Sequence, residues 1–215
     1  NDCWLNTFLY LPFDHILNCI LTCKQFNEIL NGNTYWQSII NQDYGYQLND
    51  NNYKDKYRQH RILDRFLQSK IGKNINKIKK FLGLISCKLE SLPNEIHLLI
   101  NLNEIMLDLN MLTVLPSGLC QLHNLTSLVC NSNKLQSLPP EIGNLTNLRQ
   151  LLISCNELES FPSEIGQLTK INYLYAQHNK LQLLPTEIKH LTKLKYLVLE
   201  HNQLKSFPEI ENFTR

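Results

Sequence analysis

A Leu-Pro or Phe-Pro pair returns along this chain with a fixed period. It stands at Leu92-Pro93, Leu115-Pro116, Leu138-Pro139, Phe161-Pro162, Leu184-Pro185 and Phe207-Pro208, each start 23 residues after the last. No insertion or deletion breaks the complete units 92–114, 115–137, 138–160, 161–183 and 184–206. The other landmarks keep phase as a Leu-x-x-Leu-x-Leu-x-x-Asn-x-Leu run. One copy is Leu102, Ile105, Leu107, Asn110 and Leu112; another is Leu148, Leu151, Ile153, Asn156 and Leu158. Such spacing marks an array of stacked units, each burying its apolar face against its neighbours.

The Leu-x-Leu alternation has the two-residue period of a strand with one buried face. A short strand returning every 23 residues without a hairpin turn implies parallel pairing with a crossover in each unit. Asn110, Asn133, Asn156, Asn179 and Asn202 then form a column up the stack. A buried amide can satisfy backbone groups where the chain leaves the strand, and swapping one for Leu is expected to cost roughly 1–3 kcal/mol. Pro suits the irregular return path because it lacks a ladder donor. Stretches such as Ile142 to Leu148 fit a short helical segment on the outer side. A degenerate unit at 71–91 precedes the array, with Cys87 in the Asn slot, and a partial unit at 207–215 follows it.

Composition narrows the functional classes. Leu supplies about a fifth of the 215 residues, well above ordinary usage, and the repeats account for that excess. The formal charge of +2 divides into 12 basic and 8 acidic residues in 1–91, against 9 and 11 in 92–215. That balance speaks against a nucleic-acid groove, despite the Lys70, Lys73, Lys77, Lys79, Lys80 cluster. No apolar run reaches the roughly 18 residues of a membrane span, so no membrane partner is expected. Seven cysteines form no even framework, so reduced thiols and a cytoplasmic location are expected. The sequons at Asn124, Asn144 and Asn212 then read as by-products of the repeat filler. The chain starts at Asn1 rather than Met, so a fragment of a longer protein is expected.

Residues 1–46 carry no repeat and read as short helices. Trp4, Leu5, Phe8, Leu9 and Leu11 share one helical face, which Pro12 interrupts. Asp14 can cap a second helix through Ile16, Leu17, Ile20 and Leu21. A third carries Phe26, Ile29 and Leu30 and ends at Asn31-Gly32-Asn33; Thr34 can cap a fourth with Trp36, Ile39 and Ile40. Helices so short need one another or a partner. Residues 47–70 read as a helical connector, and 71–215 as the solenoid.

Two families match these residues. The in-phase units resemble leucine-rich repeats, in the cytosolic L-P-x-E-I variety. That implies an α/β solenoid with a parallel concave sheet and a helical or irregular convex side. The run Thr22-Cys23-Lys24-Gln25-Phe26, followed by Tyr35-Trp36, resembles an F-box, and Leu11-Pro12-Phe13-Asp14-His15-Ile16 matches the middle of that motif. The usual opening Leu-Pro is missing, which fits a clipped front. The joint resemblance implies a substrate-recognition subunit of a Skp–cullin–F-box ubiquitin ligase, docked on its Skp-type adaptor through Leu5, Phe8, Leu9, Leu11, Pro12 and Ile16. The alternative is a repeat scaffold whose front helices merely cap the solenoid. The Asn-, Ile- and Lys-rich, Ala-poor composition suits an A/T-rich genome, such as that of an amoeba or a giant virus infecting one. A viral copy would work in the host cytoplasm.

Catalytic chemistry has thin support. Cys155, His178 and His201 share one repeat phase, the arrangement a Cys-His dyad or a metal trio would need. The same column holds Ser86, Leu109 and Ser132, the mixture expected of a variable surface. His15, Cys19 and Cys23 fall on one helical face, where core packing is the plainer reading. No Gly-rich phosphate loop is present. No catalytic residue, metal or cofactor is therefore expected, and the function looked for is protein binding.

The exposed strand position between two buried Leu residues gives the column Gly83, Met106, Val129, Leu152, Tyr175 and Val198. Beside it run Phe81, Glu104, Ser127, Gln150, Tyr173 and Tyr196. Met106, Val129, Leu152, Tyr173, Tyr175, Tyr196 and Val198 are the expected contacts for a target protein, since an exposed apolar column marks an interaction site. Arg149 and Lys195 on one flank, with Asp108 and Glu200 on the other, are placed to orient it.

Overall fold

The computed structural model describes residues 53–73, 75 and 78–208, and the expected helices of residues 1–46 lie outside them. The chain divides into two compact units, Asn1–Ile62 and Leu63–Arg215. Helix α1 spans Tyr53–Ile71. Leu63 and Leu67, one turn apart, are fully buried. Gly72 ends the helix in the left-handed conformation, φ +62, and its N–H bonds back to the Gln68 carbonyl at 3.1 Å. The Ile75 N–H then donates to Asp64 Oδ1 at 2.6 Å, fixing the chain against the helix it has just left.

Six three-residue strands follow: β1 Phe81–Gly83, β2 Glu104–Met106, β3 Ser127–Val129, β4 Gln150–Leu152, β5 Tyr173–Tyr175 and β6 Tyr196–Val198. They form one parallel sheet in chain order. Each residue pairs with the one 23 positions on, as Leu128 does with Leu151. The spatial register is therefore the sequence period itself. Between strands the chain returns through short 3-10 turns, Asn94–Leu98, Leu119–Gln121, Pro140–Asn144, Ser163–Gln167 and Thr186–His190. The turn expected from Ile142 to Leu148 thus begins and ends earlier. Pro139 is extended at φ −65 and ψ 144, and Pro140 supplies a first helical residue that needs no N–H partner.

The core is a stack of identical layers. Ile105, Leu128, Leu151 and Leu174 are wholly buried, as are Leu107, Cys130, Ile153 and Ala176 two residues further on. Burial pushes the Cys120 thiol up to about 12, with the Glu141 carboxylate adding to the rise. The fully enclosed Cys130 thiol is raised for the same reason, with a further contribution from Asp108. Both are small core residues with no thiolate at neutral pH.

The Asn column carries the polar part of the fold. Asn156 Oδ1 accepts from the Leu135 N–H of the preceding repeat at 3.0 Å. Its Nδ2 donates to the Cys130 carbonyl at 2.9 Å and to the Ile153 carbonyl of its own repeat at 3.1 Å. Asn110, Asn133, Asn179 and Asn202 repeat the pattern one layer at a time. Each Asn therefore completes the turn of the repeat before it. Cys87 has no such duty, because the residues one period before it lie in α1, which bonds its own backbone. Its thiol donates locally to the Ile85 carbonyl at 3.5 Å.

One backbone feature recurs in the same place. Ser86, Leu109, Ser132, Cys155, His178 and His201, each just before the Asn slot, all adopt φ between 54 and 56. The chain leaves the sheet through this left-handed residue. The cost of roughly 1–2 kcal/mol for a side chain there is offset by the Asn bonds that follow. Among the described residues no helix is long and apolar enough to cross a membrane.

Candidate protein-binding face of the repeat sheet

Alternation along each strand sends residues 105, 128, 151 and 174 inward and their neighbours onto the opposite face. The second face is the surface expected to bind protein. The central column proves half-buried rather than exposed. Met106, Leu152, Tyr175 and Val198 are partly covered, and Val129 retains only 8% exposure. Strands about 4.8 Å apart crowd adjacent side chains, so a short Val among longer neighbours is closed over. At the first layer the Phe81 ring lies beside Gly83, 3.1 Å from where a Cβ would stand, and fills the space a side chain would take.

Exposed apolar area concentrates at the two ends of the face. Phe81 is 51% exposed and Tyr196 is 54% exposed. Tyr173 and Tyr196, paired across β5 and β6, stack with centroids 5.4 Å apart and planes 6° from parallel. Tyr175 meets Tyr173 edge-on, at 6.5 Å and 75°. The three rings hold one another in place, so each presents contact area with little conformational freedom left to lose on binding.

The rim after the strands is built of polar groups that the sequence reading did not single out as a set. Asp108 Oδ1 accepts from both the backbone N–H and Nδ2 of Asn131, at 3.1 and 2.9 Å. Asn131 Oδ1 accepts from the Ser154 N–H at 2.8 Å, and Ser154 Oγ donates to Gln177 Oε1 at 2.6 Å. Polar residues at one repeat phase were the available signal. Asp108 was expected only to orient a partner, yet one of its oxygens serves this ladder. Arg149 and Lys195 on the other rim are exposed, as is Glu200.

The remaining chemistry candidates separate. His178 and His201 stack with centroids 4.3 Å apart, on the exposed left-handed column that also holds Cys155. Among the described residues no group of three His, Cys, Asp or Glu side chains is arranged to hold a metal ion. Further out, Lys180 pairs with Glu157 at 2.7 Å, and that hydrogen bond and charge hold the Glu157 carboxyl below its ordinary value. Leu5, Phe8, Leu9, Leu11, Pro12 and Ile16 lie outside the described residues, as do His15, Cys19 and Cys23.

Comparison with known proteins agrees with the architecture. The leucine-rich repeat region family matches residues 130–215, and the F-box domain family matches residues 1–38. No curated protein matches the chain. Among solved structures, a leucine-rich-repeat protein of Leptospira interrogans is 36% identical over 64% of this chain and 46% of its own, with a TM-score of 0.51. The leucine-rich-repeat ectodomain of a membrane receptor kinase from Arabidopsis thaliana, solved with Casparian strip integrity factor 2, is 31% identical. It covers 57% of this chain and 14% of its own, with a TM-score of 0.50. The chain thus spans less than half the length of either. An F-box domain at the front with leucine-rich repeats behind it is the make-up of an F-box/leucine-rich-repeat protein.

Proposed function

We propose that the chain is the substrate-recognition subunit of a Skp–cullin–F-box ubiquitin ligase and acts in the cytoplasm. Its F-box docks on a Skp-type adaptor through Leu5, Phe8, Leu9, Leu11, Pro12 and Ile16, and its repeat sheet holds a target protein. The observation that carries this reading is the pairing, in one chain, of an F-box match with a repeat sheet whose open face holds a mutually braced tyrosine cluster. The chain makes and breaks no bond in this role. It raises the effective concentration of the target near the ubiquitin-charged enzyme, which the cullin core supplies.

Co-purification of the whole chain with a eukaryotic Skp adaptor tests the proposal. A stable complex is expected, and Leu9→Asp should abolish it by placing a charge on the apolar docking face. Failure of the unaltered chain to retain the adaptor would sink the ligase role and leave a repeat scaffold. On the repeat side, Leu152→Glu with Tyr175→Glu should release the target while the adaptor stays bound.

A further inference from the structure

Building on the substrate-recognition role above, we propose that the open sheet face takes an extended target segment that is cationic at one end, apolar in the middle and anionic at the other. The placement of charge on the face carries this assignment. Glu104 and Asp108 lie two residues before and after Met106 on the same side of the chain, about 6–7 Å away on either hand. Asp108 has one oxygen engaged by Asn131, while the Glu104 carboxylate has no hydrogen bond or ion pair with another described residue. Two carboxylates flanking a half-buried thioether suit a lysine or arginine, its aliphatic stem on Met106 and its head between the acids. Lys80, one layer further out, meets the Glu104 N–H through its backbone carbonyl at 3.1 Å, and its ammonium forms no ion pair with either acid.

The far end of the face has the opposite character. Arg149 and Lys195 stand in one rim column with Asn172 between them, about 10 Å apart. Neither cation pairs with another described residue, and the stacked Tyr173 and Tyr196 directly follow Asn172 and Lys195 of that column in the chain. That surroundings favour a carboxylate. Glu200 is on the opposite rim, five residues past Lys195 in an extended run, and leaves the basic edge free. Between Met106 and the tyrosine layers, the open face of β3 and β4 presents Ser127, Val129, Gln150 and Leu152, none of them ionisable, while Arg149 opens the basic rim column beside β4. From β2 to β6 is four strand spacings, about 19 Å, which five or six extended residues span. The segment therefore crosses the strands and is read through its side chains, with the sheet's own hydrogen bonds left intact.

The test uses four pools of fluorescein-labelled octapeptides with a shared, randomised Leu/Ile/Val/Tyr centre. Their ends are Lys-Lys with Glu-Glu, Lys-Lys at both ends, Glu-Glu at both ends, or Gln-Gln at both ends. Fluorescence anisotropy with the whole chain should rank the mixed-charge pool first, by about fivefold to tenfold at low salt, with the gap narrowing as salt rises. Glu104→Lys should transfer the preference to the all-acidic pool, and Arg149→Glu with Lys195→Glu to the all-basic pool. Glu104→Gln should narrow the preference without reversing it. Four pools binding alike, or an unchanged ranking in Glu104→Lys, would overturn the proposal. Adaptor capture is measured on the same preparations. Unranked pools with the adaptor retained overturn this assignment alone, and ranked pools without adaptor overturn the ligase role alone.

Discussion

Replacing single asparagines of the ladder by alanine should give unequal losses that follow their bonding. In the middle of the array every strand-end carbonyl is shared. The Cys130 carbonyl accepts from Asn133 as well as Asn156, and the Ile153 carbonyl from Asn156 as well as Asn179. Asn156→Ala therefore strips both carbonyls of one partner each, but leaves only the Leu135 N–H with none. A buried, unpaired donor costs about 1–3 kcal/mol and each weakened acceptor less, so a loss of about 2–3 kcal/mol is expected. Asn110 differs because Cys87 occupies the slot before it. The Leu84 carbonyl accepts from Asn110 Nδ2 at 2.7 Å and from no other ladder amide, and the Leu89 N–H depends on Asn110 Oδ1 at 3.0 Å. Both atoms belong to residues no more than 1% exposed. Asn110→Ala should therefore exceed Asn156→Ala by about 1–2 kcal/mol. Asn202→Ala should cost least, since Leu199 is partly open to water. Urea denaturation followed by circular dichroism gives the ranking through the transition midpoints. Equal losses at all positions, or Asn156 exceeding Asn110, would refute the shared-acceptor account.

Other substitutions probe the stacking directly. A Cβ at residue 118 would run into the Asn94 carbonyl oxygen, so Gly118→Ala should lose about 3 kcal/mol or more in the same denaturation assay. Gly72→Ala, at positive φ but with open space around it, should lose only about 1 kcal/mol. Leu109 is 58% exposed at φ 56, so Leu109→Asn should gain about 1 kcal/mol, read as a raised midpoint. The Cys120 thiol is held protonated in the fold up to about 12, while the unfolded chain releases that proton earlier. Stability should therefore fall as pH rises from the ordinary thiol range towards 12, and Cys120→Ala should flatten that slope. Iodoacetamide on the native chain should label exposed Cys155 and spare Cys120 and Cys130, as mass spectrometry of the digested protein will show.

The sheet was legible because two independent signals agree on its register. The Leu-x-Leu alternation gives the strand, and the 23-residue period gives the partner, so Leu151 had to face Leu128 and Leu174. The Asn ladder followed because a polar residue held at one phase inside an apolar lattice needs backbone partners. The left-handed residue before each Asn was hidden. Its occupants include Leu109, Ser132 and His178, and none is the Gly or Asn that announces positive φ. The burial of Val129 was hidden too, because it depends on the length of side chains in adjacent layers, 23 residues away in sequence. The rim ladder from Asp108 to Gln177 mixes four residue types, so its continuity emerges only from their distances.

The direction of the asparagine bonds also bears on how the chain is made. Every ladder amide reaches back to the repeat before it, and none reaches forward. A repeat leaving the ribosome carries its strand and its own Asn, yet the donor in its turn waits for an acceptor 21 residues downstream. Native structure on a growing chain should therefore trail synthesis by a full repeat. A stall inside any unit would leave the preceding turn open, however complete its own sequence.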